Sequence, residues 1–244
     1  MAELNKSIRK CSKVDIRELA TKKPFIDFPK ANVVTPSFTS DSVFAMADGA
    51  KAHAYSNPID GTLTIEAQIV PFKLYSLMSD GTVATDSIKS IHTTITCAAA
   101  GVLTFLDPTG IKEGTVYVYK KGEYGEIPII GTFASPTFTA TAPADIAVGL
   151  EYEVAYIITK TSGVRRISFD EAHLVKDYFI TLETAEKDDV GVIIPLDIIC
   201  YKCTPKRTFE IATSSEGDPV TVKLEFDILT DADGKVVDMI ENIE

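Results

Sequence analysis

Between Val220 and Ile228 every even position is apolar and every odd position is polar. Val220, Val222, Leu224, Phe226 and Ile228 alternate with Thr221, Lys223, Glu225 and Asp227. A sustained period of two fits a β-strand with one face in a core and the other in water, and does not fit a helix. Thr62–Val70 repeats the pattern, with Leu63, Ile65, Ala67 and Ile69 on one side and Thr62, Thr64, Glu66 and Gln68 on the other. The chain is therefore expected to be mainly β: two packed antiparallel sheets, as a sandwich or barrel, with one short flanking helix and a β-rich insertion.

Turn residues divide the rest. Asp48-Gly49 reads as a hairpin turn between Ser42–Ala47 and a return strand near His53–Tyr55. Pro71 opens the helix, whose apolar stripe includes Phe72, Leu74, Tyr75, Leu77 and Met78, and Asp80-Gly81 ends it. Residues 88–165 hold six short strand candidates with Pro or Gly at the joints, which suits an inserted β module, Ig-like or an extension of the main sheets. Among them are Val102–Leu106, Ile127–Phe133 and Thr137–Thr141. Residues 1–36 read as an extended N-terminal arm. Ser12-Lys13-Val14-Asp15 fits a capping box for a helix of at most two turns over Ile16–Ala20, and Pro24, Pro29 and Pro36 keep the remainder extended. Ser168 could cap a second short helix leading to Tyr178. Segments 37–87 and 166–244 form the main β domain. Val190–Tyr201 is apolar on both faces, so its second face needs another layer or a neighbouring subunit.

Charge is uneven. The chain carries −11, while residues 1–30 hold eight Lys or Arg against four Asp or Glu. The acidic bulk should repel nucleic acid, and the basic start could meet an acidic partner, including a second copy. No apolar run approaches a membrane span, and no apolar h-region follows Lys6, Arg9, Lys10 and Lys13, so no signal peptide is expected.

Residues able to do chemistry are scarce. Cys200-Tyr201-Lys202-Cys203 has C-x-x-C spacing, but a structural zinc needs four ligands, and strand positions three apart point to opposite faces. Two ordinary half-buried cysteines are expected. Asp231-Ala-Asp233-Gly234-Lys235 fails as a calcium loop, since the first and twelfth positions fall on Leu229 and Ile240; a hairpin turn accounts for it. No nucleophile motif, metalloprotease motif or phosphate loop is present. No catalytic residue, metal or cofactor is assigned, and the chain is not expected to be an enzyme.

The order of elements is distinctive: an extended start, a hairpin, the strand Gly61-Thr-Leu-Thr-Ile-Glu-Ala-Gln-Ile-Val, then Pro71-Phe-Lys-Leu-Tyr-Ser-Leu-Met. Later come Asp177-Tyr-Phe-Ile-Thr-Leu, Val190–Ile199 and the alternating strand. Together they resemble the major tail proteins, or tail tube proteins, of long-tailed bacteriophages. The resemblance implies a virion structural protein without catalytic residues. Six copies would close a ring by joining sheets edge to edge, and rings would stack into a tube through which DNA passes at ejection. Partners would be other copies and other tail proteins, with no membrane and no specific DNA binding. Assembly would take place in the bacterial host cytoplasm.

On that footing Thr64, Glu66, Gln68, Lys223, Glu225 and Asp227 are candidates to face the lumen. Lys10, Arg17, Asp48, Asn57, Ile193, Ile199 and Tyr201 are candidates for contacts between subunits. The competing expectation is a capsid decoration protein or adhesin-type binding module with an Ig-like domain.

Overall fold

The computed structural model describes residues 6–29, 31–47, 50–208 and 221–242, without the side chains at 9–12, 47 and 52. It is mainly β as expected, 54% strand against 5% helix, in several antiparallel sheets. Two compact units divide the chain: Met1–Thr82 with Ile167–Glu244, and Val83–Arg166.

The first unit opens with β1 (Lys6–Glu18), β2 (Pro24–Phe28), β3 (Val33–Thr39), β4 (Ser42–Ala47), β5 (Ala50–Ser56) and β6 (Asp60–Ala67), followed by a 3₁₀ helix at Phe72–Met78. The second unit holds β7 (Ser87–Thr96), β8 (Val102–Thr104), β9 (Tyr117–Lys120), β10 (Gly131–Ala134), β11 (Thr137–Ala140) and β12 (Glu151–Lys160). The chain then returns through β13 (Tyr178–Asp188), β14 (Ile193–Pro205), β15 (Val222–Leu229) and β16 (Val237–Glu241).

Eight strands of the first unit form one antiparallel sheet in the order β2-β1-β13-β14-β15-β6-β3, with β16 also on β14. Its inner rows can be followed strand to strand. Ile26, Ile16, Ile180 and Cys200 are successive partners, as are Tyr178, Cys203, Ile228 and Gly61. Gly61 is required there: a Cβ would stand 2.9 Å from the Ile228 Cβ. All these rows feed one core that includes Val14, Ile16, Leu63, Ile65, Ile180, Leu224 and Phe226. Each fully buried Leu, Ile or Phe contributes about 1.5–3 kcal/mol of apolar burial.

The sheet must curl. β2 and β3 lie at opposite ends of the strand order, but only residues 29–32 join them. Such a link reaches at most about 17 Å. The two ends are thus brought near one another around the shared core. Among the described residues no ladder joins β2 to β3, so the barrel stays open.

The 3₁₀ helix packs Leu74, Leu77 and Met78 into this core. Three residues per turn put Leu74 and Leu77 on one face. Phe72, read from sequence as part of the stripe, is exposed instead.

Several expectations are corrected. The capping box at Ser12–Asp15 starts no helix: Ile16 to Glu18 continue β1, because Val14 and Ile16 find a deeper core in the sheet than a two-turn helix could reach. The segment read as an arm thus supplies β1, β2 and the start of β3 to the sheet. Residues leading to Tyr178 are irregular rather than helical. The Asp170 carboxylate accepts the backbone N–H groups of Ala172 (2.9 Å) and His173 (3.0 Å), a local alternative to helical hydrogen bonds. The alternation at Thr62–Val70 ends as strand at Ala67, leaving Gln68 in an exposed loop. Val220 lies outside the described residues, and β15 begins at Val222.

The Asp231–Lys235 turn does not make a hairpin either. β15 and β16 both run antiparallel to β14, Leu229 opposite Lys202 and Val237 opposite Cys200. The chain loops out and resumes along the same neighbour. Asp231 holds the loop by accepting N–H groups from Asp233 (2.9 Å) and Lys235 (2.8 Å).

Opposite this loop β14 carries a bulge. Tyr178 and Ile180, two apart on β13, pair with Cys203 and Cys200, three apart on β14. The extra residue turns both cysteines to the core, and both are 0% exposed. The expectation of opposite faces fails for this reason. A thiol–thiol hydrogen bond holds Cys200 below its ordinary value, and the same bond, with burial, pushes Cys203 up.

The second unit stacks β7-β12-β9 and β10-β11-β8, two three-stranded antiparallel sheets, on a core of Leu103, Val118, Phe138, Ile146, Tyr152 and Val154. The strand expected over Ile127–Phe133 starts only at Gly131, with an isolated bridge from Ile129 to Val118. The unit's two chain ends meet: Ala84 and Arg166 exchange backbone hydrogen bonds of 2.8 Å, and the Arg166 guanidinium holds the Asp86 carboxylate at 2.9 and 3.0 Å.

Candidate assembly surfaces

The outer face of β6 and β15 is polar because the inward side chains of those strands are taken by the core. Register brings the candidate lumen residues together. Lys223 stands opposite Glu66, Glu225 opposite Thr64 and Asp227 opposite Thr62, while Thr35 and Ser37 on β3 extend the same rows. Only Gln68 falls outside the ladder.

Among the described residues, Glu225 and Asp227 on this face have ion-pair partners, while Glu66 has none within 4.0 Å. Lys223 Nζ lies 2.7 Å from Glu225, and Lys206 Nζ lies 3.1 Å from Asp227. The hydrogen bond to Glu225 holds Lys223 above its ordinary value, and the same bond holds Glu225 below. An exposed face on which carboxylates outnumber ammonium groups offers no continuous basic stripe to phosphates.

Further round the sheet the outer face changes character. Ile199 is half-buried between Thr181 and Asp238. The Tyr201 ring meets the Phe179 ring edge-on at 5.9 Å, and its hydroxyl donates to Asp238 at 2.5 Å. That bond raises the Tyr201 phenol above its ordinary value. The ammonium groups of Lys22 and Lys235 lie over the Phe179 and Tyr201 rings. The second face of β14, apolar in sequence, is therefore covered in part by long side chains of the same chain. Arg17 lies beside it, with Nε and Nη2 each 2.7 Å from Asp15. At the β13–β14 tip, Val190, Val192 and Ile193 are exposed.

The hairpin β4–β5 is a sheet by itself. Val43, Phe44, Met46 and Tyr55 are exposed on it, and none belongs to a buried cluster. A lone two-stranded ribbon gains little stability in water, and four large apolar side chains stand exposed on this one. Asn57 closes its base, donating its backbone N–H to the Asp41 carbonyl at 2.8 Å and accepting from Ser40 Oγ at 2.7 Å.

The remaining candidates are scattered. Lys10 lies on β1 opposite Ala185, at a register shift. Asp48 is outside the described residues. The apolar ribbon itself was not singled out in the sequence, although the exposed Val43, Phe44 and Met46 stand within a single short segment.

A comparison with curated proteins gives no match. The model of the YomU/Tube protein family matches residues 8–241, from β1 through β16. A match across nearly the whole chain, on a mainly β protein with an apolar free hairpin, means that the chain belongs to the YomU/Tube protein family, in keeping with the tail tube resemblance of its sequence.

Proposed function

We propose that this chain is a virion structural protein whose copies join into rings, six to a ring, that stack into a phage tail tube and conduct DNA during ejection. The observation that carries the reading is the combination of an open curled sheet, with free edges at β2 and β3, and the unpartnered hairpin β4–β5. Free edges carry unpaired N–H and C=O groups, and a head-to-tail interface that closes satisfies them around a ring. The hairpin then joins one ring to the next. The polar face of β6 and β15, with Thr64, Glu66, Lys223, Glu225 and Asp227, lines the lumen, and its excess of carboxylates lets the DNA backbone pass without sticking.

In this reading the protein performs no catalysis and holds no cofactor. It works in the virion tail after assembly in the host cytoplasm, against other tail proteins.

Negative-stain microscopy with sedimentation velocity tests it. Rings or tubes about 100 Å wide, the size of six such domains in a ring, are expected. A monodisperse monomer at high concentration and varied salt would sink the proposal.

A further inference from the structure

Beside the start of β13 the first unit holds a cavity of about 540 Å³. This is within the range of small-ligand sites. Its wall includes Glu18, Leu19, Phe25, Asp80, Lys176 and Tyr178. Tyr178 is 2% exposed and its ring is tilted against Phe25 at 5.3 Å. Its hydroxyl is buried without a hydrogen-bond partner. Gly81 also lines the cavity, and a Cβ there would stand 2.9 Å from that hydroxyl. A buried hydroxyl with no partner is costly, and native proteins seldom leave one so.

The surroundings specify what would satisfy it. Glu18 and Asp80 have no ion-pair partner within 4.0 Å among the described residues. Glu18 accepts only the Thr21 hydroxyl, and Asp80 is held by Thr82. Asp177 is already taken by Lys202 at 3.5 Å and by the Thr204 hydroxyl. Lys176 and His173 reach Asp80 only through their longer-range field. After burial, the influences on the Tyr178 phenol are those of Asp80 and Glu18, both negative. The charged groups acting on the hydroxyl are thus two carboxylates, with the Lys176 ammonium elsewhere in the wall and aliphatic Leu19 and Ala20 beside them.

We propose that this cavity binds a protonated alkylamine or guanidinium group. Its N–H donors would engage Tyr178 Oη, Glu18 and Asp80, and its methylene stem would lie on Leu19 and Ala20. The group can come from a free polyamine or from a Lys or Arg side chain of a second copy. The lining belongs to one chain, so the site stands whether or not rings form.

The test is calorimetric titration of the full chain with spermidine and with n-butylammonium chloride at low salt, with sodium butyrate as the anionic control. Saturable binding of both amines and none of butyrate is expected. The pair Glu18→Gln and Asp80→Asn should weaken it by at least about tenfold. The carboxamide that replaces the Asp80 carboxylate can still accept the Thr82 N–H, and circular dichroism checks that the fold is kept. Tyr178→Phe should weaken it less but measurably. If assembled rings no longer take up spermidine, the natural occupant is a neighbouring copy; if they do, it is a free amine. Absence of saturable binding by either amine up to about 10 mM, or equal binding by the carboxamide variant, would overturn the proposal.

Discussion

Cys200 and Cys203 stand three residues apart on β14, yet both turn into the same core. The bulge at Tyr201 and Lys202 makes this possible, at the point where β14 changes neighbour from β16 to β15. Both thiols are shut away from solvent, so their reactivity reports opening of the sheet. In a Cys11→Ser background, a thiol-specific disulfide reagent should modify them no faster than the protein unfolds. Cys203→Ala should cost about 1–3 kcal/mol in urea unfolding. Rapid modification of the native protein at neutral pH would contradict this burial.

Tyr178 links alkaline stability to the same core. Burial pushes its phenol up to about 12, from an ordinary 10.0. A raised phenol contributes stability that is complete below pH 10 and is lost as pH rises from 10 toward 12. The unfolding midpoint should therefore fall across that window. Of the nine tyrosines, one should ionise last when absorbance is followed upward in pH, and Tyr178→Phe should remove that step. The same substitution deletes an unpartnered buried hydroxyl, so the free chain should gain about 1 kcal/mol in urea unfolding.

The apolar ribbon can be tested apart from the fold. Phe44→Asp with Met46→Asp changes exposed residues outside both cores. Unfolding free energy should move by less than about 0.5 kcal/mol each, while tube formation is abolished. Normal tubes from the double variant would remove the hairpin from the assembly contacts.

Excision of residues 83–166 tests the independence of the units. The segment's ends are tied together by Ala84 and Arg166, so a short Gly-Ser link can replace it. The remaining chain should keep a cooperative transition and its β-type circular dichroism spectrum. Loss of both would show that the first unit needs the second to fold.

Gly61→Ala probes the packing between β6 and β15. Its new Cβ would press on Ile228 and on the Phe38 ring, 2.9 and 3.1 Å away. A loss of about 1–3 kcal/mol is expected, measured by urea unfolding. A neutral substitution would mean that these strands separate easily.

Much of this architecture is local, and the local part was legible. Period-two alternation marked β6 and β15, because a strand half in water needs that pattern and nothing else does. Pro71 and Gly81 bracketed the one short helix packed on the core, since the proline ring fixes φ ahead of its first turn and Gly81 takes a φ of 80° that other residues resist. Pro and Gly at the joints marked the short strands of the second unit. The candidate lumen residues could be named in two separate strands for the same reason: each alternates, and each polar face is visible by itself.

What pairs with what was decided by the tertiary structure. Lys223 meets Glu66 only because β15 lies antiparallel to β6 in that register. Ile16 belongs to a strand because β13 offers it Ile180, and a capping box cannot compete with that burial. The cysteines face inward because a bulge adds one residue opposite Tyr178 and Ile180. Tyr178 shares the wall of the proposed site with Glu18 and Asp80 because segments far apart in sequence meet there, with Gly81 against its hydroxyl. Alternation and turn chemistry act between near neighbours and are written along the chain. Register, bulges and cavities depend on contacts between residues far apart in sequence, and these exist only once the sheet has curled around its core.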